Sequence, residues 1–406
     1  MTTTVVAIFL VVYLGMILGG LPFLQLDRTG IALLGAIAMI SVNAVSLEEA
    51  AASVHLPTLI LFFSFMVLSA QMRLGGLYGW ITRGIAKLPV SPAALLAVLI
   101  AVIGALSAVF SNDIVCLACA PVLIRACEER RLDPIPFLLA LACAANIGSA
   151  ATLIGNPQNM LIGQTLRMSF AGYFLKAIVP VTLGLGALWA LIAWQTRGRW
   201  TAGDAGGAAA LRPAPEDGDA LDPWQTGKGM IVVAALLLAF LFAPWPREHV
   251  ALTAAGILLM SRRLHSSMML GLVDWELLVL FMGLFVVNHA FQRTGVPLEA
   301  VGYLSSLGFD LRQGAPLFGA TFALSNLVSN VPAVMLLLPL AEQANAGPML
   351  ALVSTLAGNL LIVGSIANII VVDAAARRGI RIDWRRHART GIPVTAVSLG
   401  ICAALI

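Results

Sequence analysis

The sequence predicts an all-α polytopic membrane protein with about ten spanning helices, two re-entrant helical hairpins and two broken helices. Three observations predict this class. The 406 residues are 60% hydrophobic and only 11% charged, whereas soluble domains are about a quarter charged. Apolar runs of roughly 20 residues, the length that crosses a bilayer as a helix, recur along the chain. Clusters of Ser, Asn, Gly and Pro interrupt some of these runs at matching places in the two halves.

The chain divides into two halves around one linker. Residues 1–196 hold two leading spans and the first copy of a repeat, and residues 229–406 hold the second copy. The segment 197–228 is rich in Gly, Ala, Pro and acidic residues and is expected to be a cytoplasmic tether. The predicted spans are 5–24, 29–45, 56–72, 136–163, 171–196, 229–244, 248–261, 275–291, 348–376 and 390–406.

Each half contains a predicted hairpin, over 91–127 and over 314–345, whose two apolar arms meet at a Ser-Asn tip. Segments 74–88 and 294–309 are too polar to span, and we expect them to be surface-lying arms that lead into the hairpins. The tips are Ser111, Asn112 and Asp113 in the first half and Ser329 and Asn330 in the second.

A helix broken by glycine follows each hairpin, over 136–163 and over 348–376, with Gly148, Gly155 and Pro157 as the first break. Unpaired backbone groups cannot face hydrocarbon, so such breaks occur where they line a cavity or are buried in protein. Free N–H groups at a half-helix N-terminus favour an anion, and the carbonyls of the opposing end can coordinate Na⁺. The predicted substrate-binding residues are Ser111, Asn112, Asp113, Asn156, Asn159, Ser329, Asn330, Ser365 and Asn368. The predicted cation-binding or coupling residues are Asp113, Asn146, Gly148, Thr152, Gly155, Asn359 and Gly364.

The distribution of Lys and Arg predicts the orientation in a cytoplasmic (inner) membrane. With both termini outside, 19 of these residues fall on the inner side and 5 on the outer side, as the positive-inside rule requires. The loop after the first hairpin contains Arg130 and Arg131, whereas its counterpart, 341–347, has no Lys or Arg. The two copies are therefore predicted to be inverted.

Asp113 is the titratable residue that matters most for function. An acid at membrane depth is costly and is by default a hypothesis for an ion or proton relay. Alternatively, Asp113 caps a helix that starts at Ile114, a position that aspartate favours.

Several other functions are disfavoured by the sequence. The net charge of +4 lies between the spans, so no nucleic-acid partner is expected. Walker A, H-E-x-x-H and G-x-S-x-G motifs do not occur, which gives no support for an enzyme. Cys116 and Cys119 form one pair on an apolar helix and favour packing over a metal site. A channel is disfavoured because a pore needs no paired inverted hairpins. No cofactor is expected beyond Na⁺ as a coupling ion.

The segment from Asn146 to Asn159, NIGSAATLIGNPQN, resembles the signature of the ion transporter superfamily. That group holds arsenite permeases, a sodium–proton antiporter family, citrate-type carriers and divalent-anion–sodium symporters. The resemblance extends to both Ser-Asn tips and to the segment Gly364–Asn368. It implies a homodimeric scaffold and a mobile part that carries both hairpins and both broken helices, and thus elevator-type alternating access.

The tips depart from one branch of this superfamily. Dicarboxylate symporters typically have Ser-Asn-Thr at both tips, where this chain has Asp113 and Val331 in place of threonine, which is more similar to the arsenite-permease pattern. The expected function is cation-coupled (Na⁺ or H⁺) secondary transport of a small, carboxylate-type anion or oxyanion. An arsenite or antimonite efflux permease and a sodium–proton antiporter stay open as alternatives. The expected partners are the solute, the coupling ion, membrane lipid and a second copy of the chain.

Overall fold

The fold is seen in a computed structural model, which describes residues 1–20, 24–201 and 220–406. Apart from one isolated bridge between Leu132 and Thr201, its described part contains helices and loops but no strands, so the predicted all-α class is confirmed. The helices of the first half are α1 (Thr2–Leu18), α2 (Arg28–Ser41), α3 (Leu47–Ser53), α4 (Leu56–Leu74), α5 (Leu77–Ala86), α6 (Pro92–Val109), α7 (Asn112–Glu129), α8 (Pro134–Ser149), α9 (Pro157–Thr165) and α10 (Phe170–Gln195).

The second half repeats this order of elements. One hairpin arm, α17 (Asn330–Leu337), is only eight residues long. It is followed by a 3-10 turn at Leu338–Leu340, because Pro339 has no N–H group to continue the α-helix. The helices are α11 (Pro223–Phe242), α12 (Arg247–Leu259), α13 (Ser266–Leu270), α14 (Trp275–Arg293), α15 (Val296–Ser306), α16 (Gly314–Val328), α17 (Asn330–Leu337), α18 (Ala346–Ala357), α19 (Ile366–Ala376) and α20 (Trp384–Leu405).

One predicted boundary changes, the end of the linker. The linker was expected to run to 228, but α11 already begins at Pro223, because the Asp222 side chain caps it by accepting from the N–H groups of Trp224 and Gln225. Residues 202–219 of the predicted linker and 21–23 of the first predicted span lie outside the described residues.

Helix length and hydropathy identify fewer spans than predicted. Six helices of the described chain are long and apolar enough to cross a membrane, namely α4, α6, α10, α11, α14 and α20. Other predicted spans correspond to shorter apolar helices, such as α1 and α2. The count of about ten spans therefore stays a prediction.

The two halves are intertwined. Helix α2 packs against α14 and α4 packs against α12, so equivalent helices exchange partners between the halves. The second arm of each hairpin packs against the end of the other half's broken helix, α7 against α19 and α17 against α9. This exchange places each hairpin tip and each helix break beside elements of the other half.

The surface-arm prediction fits only one half. Helix α15 buries none of its residues, as expected for an arm at the surface. Helix α5 buries Leu77, Tyr78, Thr82 and Ile85, because it packs against the first hairpin through α7. The first arm is thus part of the packed core.

Candidate functional site

The buried amide of Asn146 connects the interruptions of both halves. Its Nδ2 donates to Asn359 Oδ1 at 3.0 Å and to Asn368 Oδ1 at 3.1 Å. Its Oδ1 accepts from Ser365 Oγ at 2.8 Å and from Asn112 Nδ2 at 3.2 Å. A single side chain therefore links the first hairpin tip, the first broken helix and both sides of the second break.

Thr355 has the equivalent place in the second half. The offset of 209 residues that aligns Asn159 with Asn368 also aligns Asn146 with Thr355 and Asn156 with Ser365. Thr355 Oγ1 accepts from Asn156 Nδ2 at 3.2 Å and donates to Asn159 Oδ1 at 3.3 Å. These bonds match those that Asn146 makes with Ser365 and Asn368.

A third pair of equivalent bonds joins each distal asparagine to its own break. Asn159 Nδ2 donates to the carbonyl of Thr152 at 3.0 Å, and Asn368 Nδ2 donates to the carbonyl of Leu361, also at 3.0 Å. The two acceptors are again 209 residues apart. The repeat seen in the sequence is therefore present as a repeated hydrogen-bond pattern around the site.

Gly148 does not break the helix, contrary to the prediction. Helix α8 continues through it to Ser149, and the break covers residues 150–156. A Cβ on Gly148 would lie 2.4 Å from the Cα of Gly104, so glycine is required for α8 to approach α6.

Gly155 lies in the first break and Gly364 in the second, and both are packed against backbone atoms. A Cβ on Gly155 would lie 2.3 Å from the carbonyl oxygen of Ser149 and 2.7 Å from that of Ser107. The Gly155 carbonyl also accepts from the backbone N–H of Asn112 at 3.4 Å. A Cβ on Gly364 would meet its nearest atom, the Gly358 carbonyl oxygen, only at 3.1 Å.

Oxygen atoms without partners lie at equivalent places in the two hairpins. Asn112 Oδ1 and Ser107 Oγ are buried and accept no hydrogen bond within the described chain, and the same is true of Asn330 Oδ1 and Ser325 Oγ. In each hairpin the serine precedes the asparagine by five residues. A buried polar atom left without a partner costs about 1–3 kcal/mol, so these oxygens are suited to bind a cation or a solute. Asn326 Oδ1 is a further unpartnered oxygen beside the second break.

Asp113 is not an N-cap, contrary to the alternative interpretation. Ser111 is the N-cap of α7, and Asp113 is the second residue of the helix, half-buried in its first turn. A carboxylate there interacts favourably with the helix N-terminus. The Asp113 side chain is thus held beside the tip without being needed to start the helix.

The predicted polar residues fall into three groups. Asn112, Asn146, Asn359, Ser365 and Asn368 meet directly through side chains. Asn156 and Asn159 lie in the neighbouring network around Thr355, and Thr152 Oγ1 donates to the carbonyl of Ala108. Ser111, Ser329 and Asn330 are half-buried at the tips.

Sequence reasoning missed Ser107, Ser149, Ser325 and Thr355. The repeat offset would have found Thr355 as the partner of Asn146, and the five-residue spacing would have found both serines of the hairpins. Ser149 Oγ, which accepts from Asn156 Nδ2 at 3.0 Å, has no such counterpart because Gly358 occupies the equivalent position.

The all-helical fold, the long apolar helices and the buried polar interruptions define a multi-pass membrane transporter. The chain belongs to the citrate transporter family, whose model matches residues 8–357. Membership of a transporter family makes the protein a carrier rather than an enzyme. The resemblance to the ion transporter superfamily is thereby confirmed.

Relatives match over nearly the whole chain. The silicon efflux transporter LSI3 of Oryza sativa subsp. japonica is 30% identical, over 95% of this chain and 93% of its own. The 46 kDa membrane protein of Mycobacterium leprae is 28% identical, over 93% of this chain and 92% of its own. The crystal structure of the Alcanivorax borkumensis YdaH transporter, described as having an unusual topology, superposes with a TM-score of 0.60 at 15% identity. It covers 100% of this chain and 97% of that one. This last likeness is one of fold.

Proposed function

We propose that the protein is a cation-coupled secondary transporter of a small anion or oxyanion of the carboxylate type. The observation that carries the proposal is the pair of hairpin tips with unpartnered buried oxygens at equivalent positions, Asn112 and Asn330. Each tip lies against a helix break, and hydrogen bonds through Asn146 join the two breaks. Duplicated broken segments of this kind are typical of the binding sites of secondary transporters.

The proposed solute site lies between the tips. Helices α7 and α17 both begin at the tip asparagines, so the free N–H groups and positive ends of two helices are available to an anion. The hydroxyls of Ser111 and Ser329 are half-buried there and can donate to its oxygens. These donors suit a carboxylate or an oxyanion.

The proposed cation sites lie at the buried oxygens beside each tip. In the first half, Ser107 Oγ and Asn112 Oδ1 are buried without a partner, and the Asn112 N–H, which belongs to the same residue, donates to the Gly155 carbonyl at 3.4 Å. In the second half, Ser325, Asn326 and Asn330 provide the corresponding oxygens. Hydroxyl, amide and carbonyl oxygens are the ligands that Na⁺ receives from unwound transporter helices.

We further propose that the carrier works by an elevator-like movement of the hairpins and broken helices against a homodimeric scaffold in the cytoplasmic membrane, with both termini outside. The exchange of partners between α2, α4, α12 and α14 supports a separate, tightly packed scaffold. Cross-linking of single cysteines on those helices in native membranes tests the dimer. A product of twice the chain's mass is expected, and a protein that stays at one chain's mass in every variant would contradict the dimer.

Uptake into proteoliposomes tests the proposed function. Citrate, succinate, sulfate and arsenite are offered under an imposed Na⁺ gradient, an imposed pH gradient, or neither. Gradient-driven accumulation of an anion is expected. Exchange of Na⁺ for H⁺ with no solute movement would support the antiporter instead, and absence of all flux would overturn the proposal.

Asp113 is proposed to carry the coupling proton or to bind the coupling cation. Asp113→Asn removes the charge and the titration, so we expect transport to lose its dependence on the pH gradient and to fall by at least tenfold, which corresponds to about 1.4 kcal/mol. Glu299→Gln, on the exposed helix α15, is the matched control. Unchanged transport with an unchanged pH profile in Asp113→Asn would exclude the coupling role.

Efflux of an uncharged oxyacid is the second candidate function. It is favoured by the relative named a silicon efflux transporter and by the absence of threonine at both tips, where Asp113 and Val331 stand. Expression in an arsenite-sensitive bacterium tests it. Increased resistance, together with no anion uptake in proteoliposomes, would favour efflux over the anion transporter.

A further inference from the structure

A basic cleft opens beside the candidate site, outside the residues discussed so far. It has a volume of about 690 Å³ and lies between the first hairpin and the second broken helix, with α4 and α5 as its third wall. Four arginines and one acid line it: Arg73, Arg125, Arg377, Arg378 and Asp373. Arg377 Nε is 2.8 Å from Asp373 Oδ2, and this exposed pair neutralises one of the four positive charges. The described lining residues, counted by type, have a formal charge of +3.

The cleft leads along α7 towards the tip. Its innermost lining residue on that helix is Leu117, five residues beyond Asn112 and thus about 7.5 Å along the axis. Arg125 is two further turns along the same wall. On the opposite wall, Ile370 is two residues beyond Asn368 of the site. The cleft lining therefore reaches within five residues of Asn112 on one wall and within two residues of Asn368 on the other.

A second cleft allows a comparison. It has a volume of about 400 Å³, lies on the predicted external face and is lined by Lys176 and Glu342 as its charged residues. Its formal charge is therefore balanced. Of these two clefts of the described chain, only the first therefore has an excess of positive lining residues.

We propose that the basic cleft is an anion-capture vestibule, which binds the anionic solute transiently and passes it to the hairpin tips. The inference rests on the proposed function and deepens it, because it assigns the solute a negative charge at the moment of entry. A concave surface of one charge sign raises the local concentration of oppositely charged solutes and their association rate. Guanidinium groups are also suited to carboxylates and oxyanions, since they offer donors in a planar fork.

The test is the double variant Arg73→Gln/Arg378→Gln, with Arg385→Gln as the matched control. Arg385 is exposed at the start of α20, where its guanidinium lies over the Trp384 ring, and it does not line the cleft. Initial rates of citrate and sulfate transport are measured from each face, in right-side-out and in inside-out vesicles. At low salt, we expect the double variant to have an about tenfold higher KM for citrate and sulfate when the solute enters from the face where the cleft opens, with kcat unchanged. The rise should shrink at 1 M salt, where the Debye length is only about 3 Å.

Three comparisons keep the outcome unambiguous. Arsenite, which is uncharged at neutral pH, should show the same KM in the variant and in the unaltered protein. An equal rise for arsenite, an equal rise from both faces or no rise for citrate and sulfate would overturn the vestibule. Headgroup binding is the other source of this chemistry, so vesicles of pure phosphatidylcholine are compared with an equal mixture of phosphatidylcholine and phosphatidylglycerol. An effect of the variant that occurs only with the anionic lipid would assign the arginines to lipid and overturn the proposal.

Failure of the proposed function has a different signature. In that case the unaltered protein moves neither citrate nor sulfate under any gradient. Anion transport by the unaltered protein with no change of KM in the double variant contradicts the vestibule alone. A variant that misfolds is recognised by a lower melting temperature, and the single variants Arg73→Gln and Arg378→Gln then replace it.

Discussion

The two halves of the transporter share a pattern of interior hydrogen bonds, made by different side chains, and Asn146 of the first half makes one bond more than Thr355 of the second. Asn146 uses an amide with two donors and two acceptor sites, and it bonds four partners, including the tip residue Asn112. Thr355, at the equivalent position, has a single hydroxyl. The Oδ1 atoms of both tip asparagines are unpartnered, but only Asn112 donates its Nδ2 to the residue at this position, Asn146. The first tip is therefore hydrogen-bonded to Asn146, whereas the described chain shows no such bond between the second tip and Thr355.

Burial follows the same division. All residues of the first break, 150–156, are buried. In the second break Leu361 and Val363 keep 41% and 54% of their surface exposed. Regions with fewer buried contacts open at lower free-energy cost. The comparison therefore indicates a firmly packed first half and a second half that rearranges more easily.

The largest expected difference between the halves is at the equivalent residues Asn146 and Thr355. Asn146→Ala removes four hydrogen bonds and leaves several buried groups without partners, each costing about 1–3 kcal/mol. We expect near-complete loss of transport and a strongly lowered melting temperature. Thr355→Ala removes three hydrogen bonds, those with Asn156, Gln158 and Asn159. It should do less than Asn146→Ala, about 1–3 kcal/mol for each group left without a partner, because Asn156 Nδ2 keeps its bond to Ser149 Oγ. Uptake and thermal unfolding of both variants measure this, and equal effects would mean that the halves are energetically equivalent.

The second-largest expected difference is in the stability lost when the equivalent glycines of the two breaks, Gly155 and Gly364, are replaced by alanine. Gly155→Ala would place a methyl group 2.3 Å from a backbone oxygen that cannot move away, whereas Gly364→Ala meets its nearest atom at 3.1 Å. Overpacking costs about 1–3 kcal/mol or more, so we expect Gly155→Ala to unfold at a clearly lower temperature and Gly364→Ala to stay within about 1 kcal/mol of the unaltered protein. Melting curves in detergent compare them. A larger loss in Gly364→Ala would reverse the assignment of the rigid half.

The tip asparagines separate stability from ion binding. Asn330→Ala removes a buried oxygen that has no partner in the described chain, so stability should stay the same or rise, by at most about 1–3 kcal/mol. The Na⁺ concentration for half-maximal transport should nevertheless rise by about tenfold, equivalent to about 1.4 kcal/mol. Asn112→Ala should lower both stability and Na⁺ affinity, because Asn112 also donates to Asn146. Unchanged Na⁺ dependence in both variants would exclude the proposed cation sites.

Sequence patterns predicted the fold class and most of the polar side chains that the structure brings together. Helix breaks are readable because Gly, Asn and Pro are costly in lipid-grade sequence, which is how Asn146, Ser365 and Asn368 were found. Gly148 was misassigned because a glycine that permits close packing and a glycine that ends a helix look alike in sequence. The unequal burial of α5 and α15 was also not predictable, since it depends on which helices pack over each arm.

The smallest expected difference concerns the backbone at the two tips. Ser329 has φ 77° and ψ 160°, a conformation that costs a residue other than glycine about 1–3 kcal/mol, whereas Ser111 has an ordinary φ of −54°. Ser329→Gly should therefore raise the free energy of unfolding by about 1 kcal/mol, after subtraction of the greater chain entropy of glycine. Ser111→Gly should lower it by about 0.5–1 kcal/mol. Ser329→Ala is the control, because it removes the hydroxyl and keeps the strained backbone. If Ser329→Gly and Ser329→Ala melt at the same temperature, the second tip stores no strain, and its looser packing alone distinguishes it from the first.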